Sequence, residues 1–292
     1  MNARYVLFAL FVALHVQAEP LPQVSPELVG FANERLEKIT AFTGREVSDG
    51  RLAGAVTLVA RHGKVVHFEA VGRYGVDNDK PLDKDALFRI YSMTKPVTTV
   101  AMMMLYEEGH YQLADPVAKY LPEFEHQQVL VDGELRDVQA PMTIEQLMSH
   151  TAGLSYGFPA DHPGRVAFEA ADVSGSRNLV EFTERLAKVP LQFEPGSRYY
   201  YSYATDVLGA LVEHFSGMTL EEFFAQRIFA PLGMHDTFFN VPEDKLSRVV
   251  SNHYWDRENN VLAALPAESA RPLTGVTLFS GGAGLVSTAM DY

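Results

Sequence analysis

Ser92-Met93-Thr94-Lys95 is the only S-x-x-K in the chain, and it holds the residue types needed for nucleophilic catalysis. At the start of a helix, positions i and i+3 share a face, so the hydroxyl and the ammonium can come within hydrogen-bond reach. A serine hydroxyl is a poor nucleophile until a base takes its proton, and a lysine assists when burial or a nearby positive charge lowers its pKa. The helix N-terminus adds a field that favours an oxyanion, towards which the Ser92 backbone N–H can point. Chance alone supplies about one S-x-x-K in a chain of this length, so the setting carries the argument. A strand-like run, Leu87-Phe88-Arg89-Ile90, leads in. Pro96 to Tyr106 follows, apolar on nearly all sides, which reads as a buried helix that Gly109 can close. The Met102, Met103 and Met104 cluster within it reads as packing material.

Three other residues compete for a role. Tyr201 stands just before a strong helical pattern, and near an ammonium its phenol would deprotonate more easily; its own surroundings leave it open between catalysis and packing in a chain with 13 Tyr. Gly153-Leu154-Ser155-Tyr156-Gly157 fits the G-x-S-x-G nucleophile elbow, which needs a strand before it and a helix after it. Here a capped helix precedes and Phe158-Pro159 follows, so Ser155 reads as a loop residue. His150 has no acid at a telling spacing and reads as a cap of the preceding helix. No metal site and no nucleotide-binding loop is visible, so no cofactor is expected.

These residues need a scaffold, and the 292-residue chain, 47% apolar, is long enough to bury one. A net charge of -13 argues against a nucleic-acid partner. Met1 to Arg4 are basic, Tyr5 to Val16 are almost all apolar, and Val16-Gln17-Ala18 offers small residues: a secretory signal peptide cleaved after Ala18. No Cys is present to form a disulfide or a lipid anchor, so a periplasmic or secreted protein held by core burial, without a membrane anchor after cleavage, is expected. Ser25-Pro26 opens an amphipathic helix running to about residue 44. Ala55 to Ala60 and Lys64 to Val71 form a hairpin, and Asp132-Gly133 marks a smaller one. Capping boxes pair Thr143 with Gln146, Asn178 with Glu181, and Thr219 with Glu222. Ala204, Val207, Leu208, Leu211, Val212 and Phe215 define the cleanest helix, over 203–216, stopped by Gly217. Ser280 to Gly284 is a Gly-rich turn, after which Ser287-Thr288 looks like a cap.

Taken together, several segments resemble the serine β-lactamase and penicillin-binding-protein superfamily, above all the class C β-lactamases and the β-lactamase-like carboxylesterases (family VIII esterases). They are Tyr91 to Pro96, Met142 to Leu154, Glu194-Pro195-Gly196, Tyr201-Ser202 leading to Asp206-Val207-Leu208-Gly209, Pro231-Leu232-Gly233-Met234, and Gly281 to Thr288. They fall in the family's order and cover most of the chain. The resemblance implies Ser92 as the acyl-enzyme nucleophile, Lys95 as its helper and Tyr201 as general base and later acid. It also implies an α/β plus all-α, β-lactamase/transpeptidase-like fold, with an antiparallel sheet domain and a helical domain. The divisions are 1–18 signal peptide, 19–90 first part of the α/β domain, 91–279 mainly helical with the cleft, and 280–292 returning to the α/β domain.

The sequence also departs from that pattern. Where β-lactamases commonly read Tyr-x-Asn, this chain reads Tyr201-Ser202-Tyr203. The missing amide favours the esterase branch, so hydrolysis of short-chain esters is expected, with a small ester or amide as substrate. β-Lactam or D-alanyl peptide hydrolysis is the alternative, and a non-catalytic penicillin-recognising binding protein the next. The family's last box, on a strand that lends the second oxyanion-hole N–H, should fall after Tyr292. Losing such a donor costs on the order of 100- to 1000-fold in rate, so weak activity is expected of residues 1–292 alone.

Overall fold

The computed structural model describes residues 18, 21–131, 133–266 and 269–292. The signal-peptide reading covers residues 1–18, of which 1–17 lie outside the described residues. The N-terminal amphipathic pattern is not one helix. Pro26–Val29 forms a 3-10 turn that Gly30 ends at φ 80°, and α1 (Asn33–Ser48) starts anew beyond it. The left-handed glycine rotates the register, so Leu28 and Phe42, apolar residues at helical spacing, are exposed, while Leu36 packs with Val29 and Val66.

That small core lies under β1 (Gly54–Arg61) and β2 (Lys64–Gly75), an antiparallel pair. Their turn is the two residues His62 and Gly63, both at positive φ, a geometry that matches strand twist. The sequence pattern stops β2 at Val71, yet the strand runs on and pairs with β3 (Asn78–Pro81), a polar edge that alternation could not reveal. β4 (Phe88–Arg89) leads to the candidate nucleophile, as its apolar run suggests. After it, α2 (Thr94–Glu107) is not buried all round. Val97, Thr98, Ala101, Met102 and Leu105 face the core, whereas Val100 and Met103 are exposed. An apolar residue on each face looks the same in sequence whether or not something covers it.

The Asp132-Gly133 signal corresponds to a hairpin of β5 (Gln128–Val131) and β6 (Glu134–Asp137), of which Asp132 itself lies outside the described residues. α3 (Ile144–Met148) carries the full Thr143/Gln146 capping box. α4 (Gly164–Ala171) had no sequence signal. α5 (Leu179–Leu186) has half a box: Asn178 accepts from the Glu181 N–H, but Glu181 turns to the Arg177 backbone and to the Arg177 and Arg185 guanidiniums. α6 (Ala204–Ser216) is buried from Ala204 to Val212 and packs against α2, α3, α5 and α7 (Leu220–Phe224), whose Thr219/Glu222 box is complete. It is the axle of the helical layer.

A further hairpin, β7 (His253–Asp256) with β8 (Val261–Ala264), also went unread. Near residue 287, β9 (Val286–Ser287) pairs antiparallel with β4. Ser287 is therefore a strand residue, and the cap is Thr288, whose hydroxyl accepts from the Asp291 N–H. Among the described residues no helix is long and apolar enough to cross a membrane.

Candidate active site

Between β4 and α2 the chain turns sharply. Tyr91 takes a left-handed φ of 45°, a conformation that costs a non-glycine residue of order 1–3 kcal/mol and that clusters at functional sites. Its hydroxyl accepts a hydrogen bond from the Asn252 amide at the base of the β7–β8 hairpin. Tyr91–Met93 forms a 3-10 turn running into α2, so Ser92 stands exposed at the helix head, whereas Lys95, one turn on, is buried. The Lys95 ammonium has three oxygen acceptors: Ser92 Oγ at 3.4 Å, Tyr156 OH at 3.1 Å and the Gly282 carbonyl at 2.7 Å. Three donors meet three acceptors, which fixes the amine beside the hydroxyl.

Tyr201 arrives from the opposite side. Its segment is laid down by two loops in register: the Gly196 N–H donates to the Thr151 carbonyl, and the Tyr200 N–H to the His150 carbonyl, both at 2.8 Å. Ser202 Oγ accepts from the Ala204 N–H and so helps start α6 immediately afterwards. The Lys95 ammonium lies 4.5 Å from the centroid of the Tyr201 ring. Burial pushes the Tyr201 phenol up, but its interactions with Lys95 and Ser92 and the ammonium charge outweigh this, and its pKa falls below the ordinary phenol value. Ser92, Lys95 and Tyr201, from two distant stretches of sequence, thus share one site.

His150 ends α3, in line with its expected capping place, at φ 55°. Its ring packs 4.8 Å from that of Tyr201, and burial, then the Lys95 charge, hold the imidazole below its usual pKa. Ser155 is buried, and its hydroxyl is used up by Gly157 and by the Gln192 amide at 2.6 Å.

Three further residues take part, and two of them, Tyr156 and Asp206, escaped the sequence reading. Tyr156 belongs to the G-x-S-x-G segment set aside as a loop, yet its hydroxyl is a Lys95 partner, and burial, then the Asp206 charge, push its phenol above the ordinary value. Tyr203, in the place of the family's Asn, packs edge-on against Tyr156 with centroids 4.4 Å apart. Asp206 is a carboxylate inside the buried face of α6, and a lone acid within Ala204 to Val212 was the signal available for it. A cavity of about 450 Å³ opens against Phe182, Tyr203, Asp206, Arg271 and Ser280. Another, of about 500 Å³, is bounded by Ile90 and Met93, the neighbours of Ser92. Among the described residues no group of three or more His, Asp or Glu could hold a metal ion.

Comparison with known proteins agrees with this geometry. The Beta-lactamase family model matches residues 34–292. Esterase EstB of Burkholderia gladioli is 36% identical over 207 residues, covering 69% of this chain and 51% of EstB. The structure of EstCE1, a hydrolase with promiscuous acyltransferase activity, superposes with a TM-score of 0.75 at 30% identity, over 89% of this chain and 71% of EstCE1. Simvastatin synthase (LovD) from Aspergillus terreus gives 0.76 at 27% identity, over 90% and 67%. The chain spans 44% to 64% of the length of the curated relatives it matches. With the family model running from α1 to Tyr292 and the helix-head serine, its lysine and the facing tyrosine set on the matching fold, the chain belongs to the Beta-lactamase family.

Proposed function

We propose that this protein is a serine hydrolase that cleaves short-chain carboxylic esters through an acyl-enzyme on Ser92. The observation that carries the reading is the single buried ammonium, Lys95, lying between the Ser92 hydroxyl and the Tyr201 ring. Tyr201, as phenolate, takes the Ser92 proton while Oγ bonds to the ester carbonyl carbon. The tetrahedral intermediate collapses when the same phenol returns that proton to the departing alkoxide. Water then attacks the acyl-enzyme carbonyl, giving its proton to Tyr201, and the acid is released as Tyr201 passes that proton to Ser92 Oγ, restoring the phenolate. Throughout, Lys95 supplies the positive charge that keeps the phenolate accessible.

EstB, an esterase, supports the ester reading. Tyr203 in the amide position speaks against β-lactam hydrolysis as the main activity. EstCE1 supports one variation, in which an alcohol replaces water in the second step. The test is p-nitrophenyl butyrate hydrolysis by the full-length protein and its Ser92→Ala variant. A fall of at least about 1000-fold is expected, and hydrolysis at the parent rate by the variant excludes the proposal. Export follows from the N-terminal pattern: protein recovered outside the cytoplasm should begin at Glu19, and an intact Met1 there would refute export by cleavage.

A further inference from the structure

The Gly-rich turn at 280–284, read from the sequence, and the acid in α6, which the sequence reading passed over, have no place in the proton transfers above. They touch each other. Asp206 Oδ1 accepts from Ser280 Oγ at 2.5 Å and from the Gly282 N–H at 3.1 Å. The carbonyl of that same Gly282 accepts the Lys95 ammonium at 2.7 Å, and the preceding Gly281 carbonyl accepts from Thr98 Oγ1, also at 2.7 Å. Thr98 lies one turn beyond Lys95 on α2. The loop is thus clasped between α2 and α6, with its polar groups facing both.

That closeness explains the glycines. A Cβ on Gly281 would sit 2.7 Å from the Thr205 carbonyl and 3.1 Å from the Thr98 methyl, and one on Gly282 would collide with Asp206 Oδ2. The charges fit the same arrangement. Lys95 is buried and its three hydrogen-bond partners are all neutral oxygens, while Asp206 is buried and bonded to neutral donors. A buried cation and a buried anion each cost much unless compensated. Here the two groups are joined through one residue, ammonium to carbonyl and N–H to carboxyl oxygen; burial pushes the Asp206 carboxyl up, and its bonds to Ser280 and Gly282 and the Lys95 charge oppose this.

We propose that Asp206 is a positioning residue of the catalytic cluster: its carboxylate fixes the Ser280–Gly282 loop and, through the Gly282 carbonyl, sets the place and counter-charge of the Lys95 ammonium. The proposal rests on the reading of Ser92, Lys95 and Tyr201 given above. Because Asp206 acts through Lys95, its removal lowers turnover rather than substrate binding, and the loss disappears once Lys95 is gone. An acid needed only to hold α6 against the loop would affect both backgrounds alike.

The experiment is a double-mutant cycle in the full-length protein. Asp206→Ala and Asp206→Asn are each made alone and with Lys95→Ala. The readouts are kcat and KM for p-nitrophenyl butyrate, the second-order rate of Ser92 labelling by a fluorophosphonate, and thermal midpoints. Asp206→Ala should lower kcat by roughly 10- to 100-fold with KM within about 3-fold. Asp206→Asn, which keeps an acceptor for Ser280 and Gly282 but no charge, should fall between it and the parent. In the Lys95→Ala background, Asp206→Ala should change the labelling rate by less than about 3-fold. Equal losses in both backgrounds, or a loss confined to KM, overturn the proposal. Should Asp206→Ala not fold, Ser280→Ala removes one of the two hydrogen bonds to Oδ1. Its kcat should drop about 3- to 10-fold with Lys95 present, and an unchanged kcat overturns the proposal. The underlying catalytic reading fails separately, when Ser92→Ala or Lys95→Ala itself leaves turnover intact.

Discussion

Lys95 is where the electrostatics of the site converge, because its charge acts at once on the hydroxyl of Ser92 and the phenol of Tyr201. The Tyr201 pKa is lowered despite burial, so the phenolate forms at a lower pH than for tyrosine in water. If the phenolate is the base, kcat/KM rises with pH through that lowered value. Removing the cation disfavours the anion and moves the rise upward. We therefore expect the rising limb of the pH profile of Lys95→Met, recorded between about pH 6 and 10, to lie at higher pH than that of the parent. Tyr201→Phe should lose the limb altogether; a limb unmoved in Lys95→Met and retained in Tyr201→Phe would assign the base elsewhere. At this scale the sequence was informative for residues tied to a motif and silent on those that matter by contact. Ser92 and Lys95 stand three apart, and helical spacing alone joins them. Tyr156 joins Lys95 across a separation of 61 residues, which no local pattern encodes.

The elements that carry these residues divide the same way. The β1–β2 hairpin, the Thr143 and Thr219 caps and the α6 stripe were legible because each rests on near neighbours: a two-residue turn, a side chain meeting a backbone three positions on, a 3.6-residue period. α1 was misread because Gly30 breaks the phase of an otherwise helical run, and β7–β8 was unread because its residues are half-exposed and do not alternate cleanly. Caps that can be read can also be tested. Thr143 satisfies the Gln146 N–H, and the Gln146 side chain accepts from the Thr143 N–H in return. Thr143→Ala should cost about 1 kcal/mol of stability, measured by chemical denaturation. Because α3 leads directly into His150 and the loop that aligns Tyr201, a modest fall in kcat should accompany it. No stability change would mean that the box contributes nothing.

Across the whole molecule, segments far apart in sequence are held together by β4–β9, joining residues 88–89 to 286–287, and by a charged clasp. Asp236 pairs with Lys245 and Arg248, both at 2.7 Å, and Arg248 also reaches the Asp85 carbonyl at 2.6 Å, next to β4. Burial pushes the Asp236 carboxyl up, but the two cations more than offset it, so its pKa lies below the usual carboxylate value. A depressed acid contributes stability above its unfolded pKa of about 3.9 and loses it as the pH falls through the folded value. Stability should therefore decline in that acid window, and Asp236→Asn should flatten the decline while costing about 1–2 kcal/mol at neutral pH; an unchanged acid profile in the variant would exclude this clasp as the cause. Such long-range ties were visible in sequence only through resemblance, since the Tyr91 to Pro96 and Gly281 to Thr288 boxes meet in space but share no local pattern. The central claim is that Ser92 forms a covalent acyl-enzyme, and rapid-quench intact-mass spectrometry of the full-length protein with p-nitrophenyl butyrate tests it most directly. The account predicts a transient mass increase of one butyryl group, mapped to the peptide holding Ser92 and lost in Ser92→Ala. A butyryl adduct on any other residue, or turnover undiminished in that variant, would contradict it.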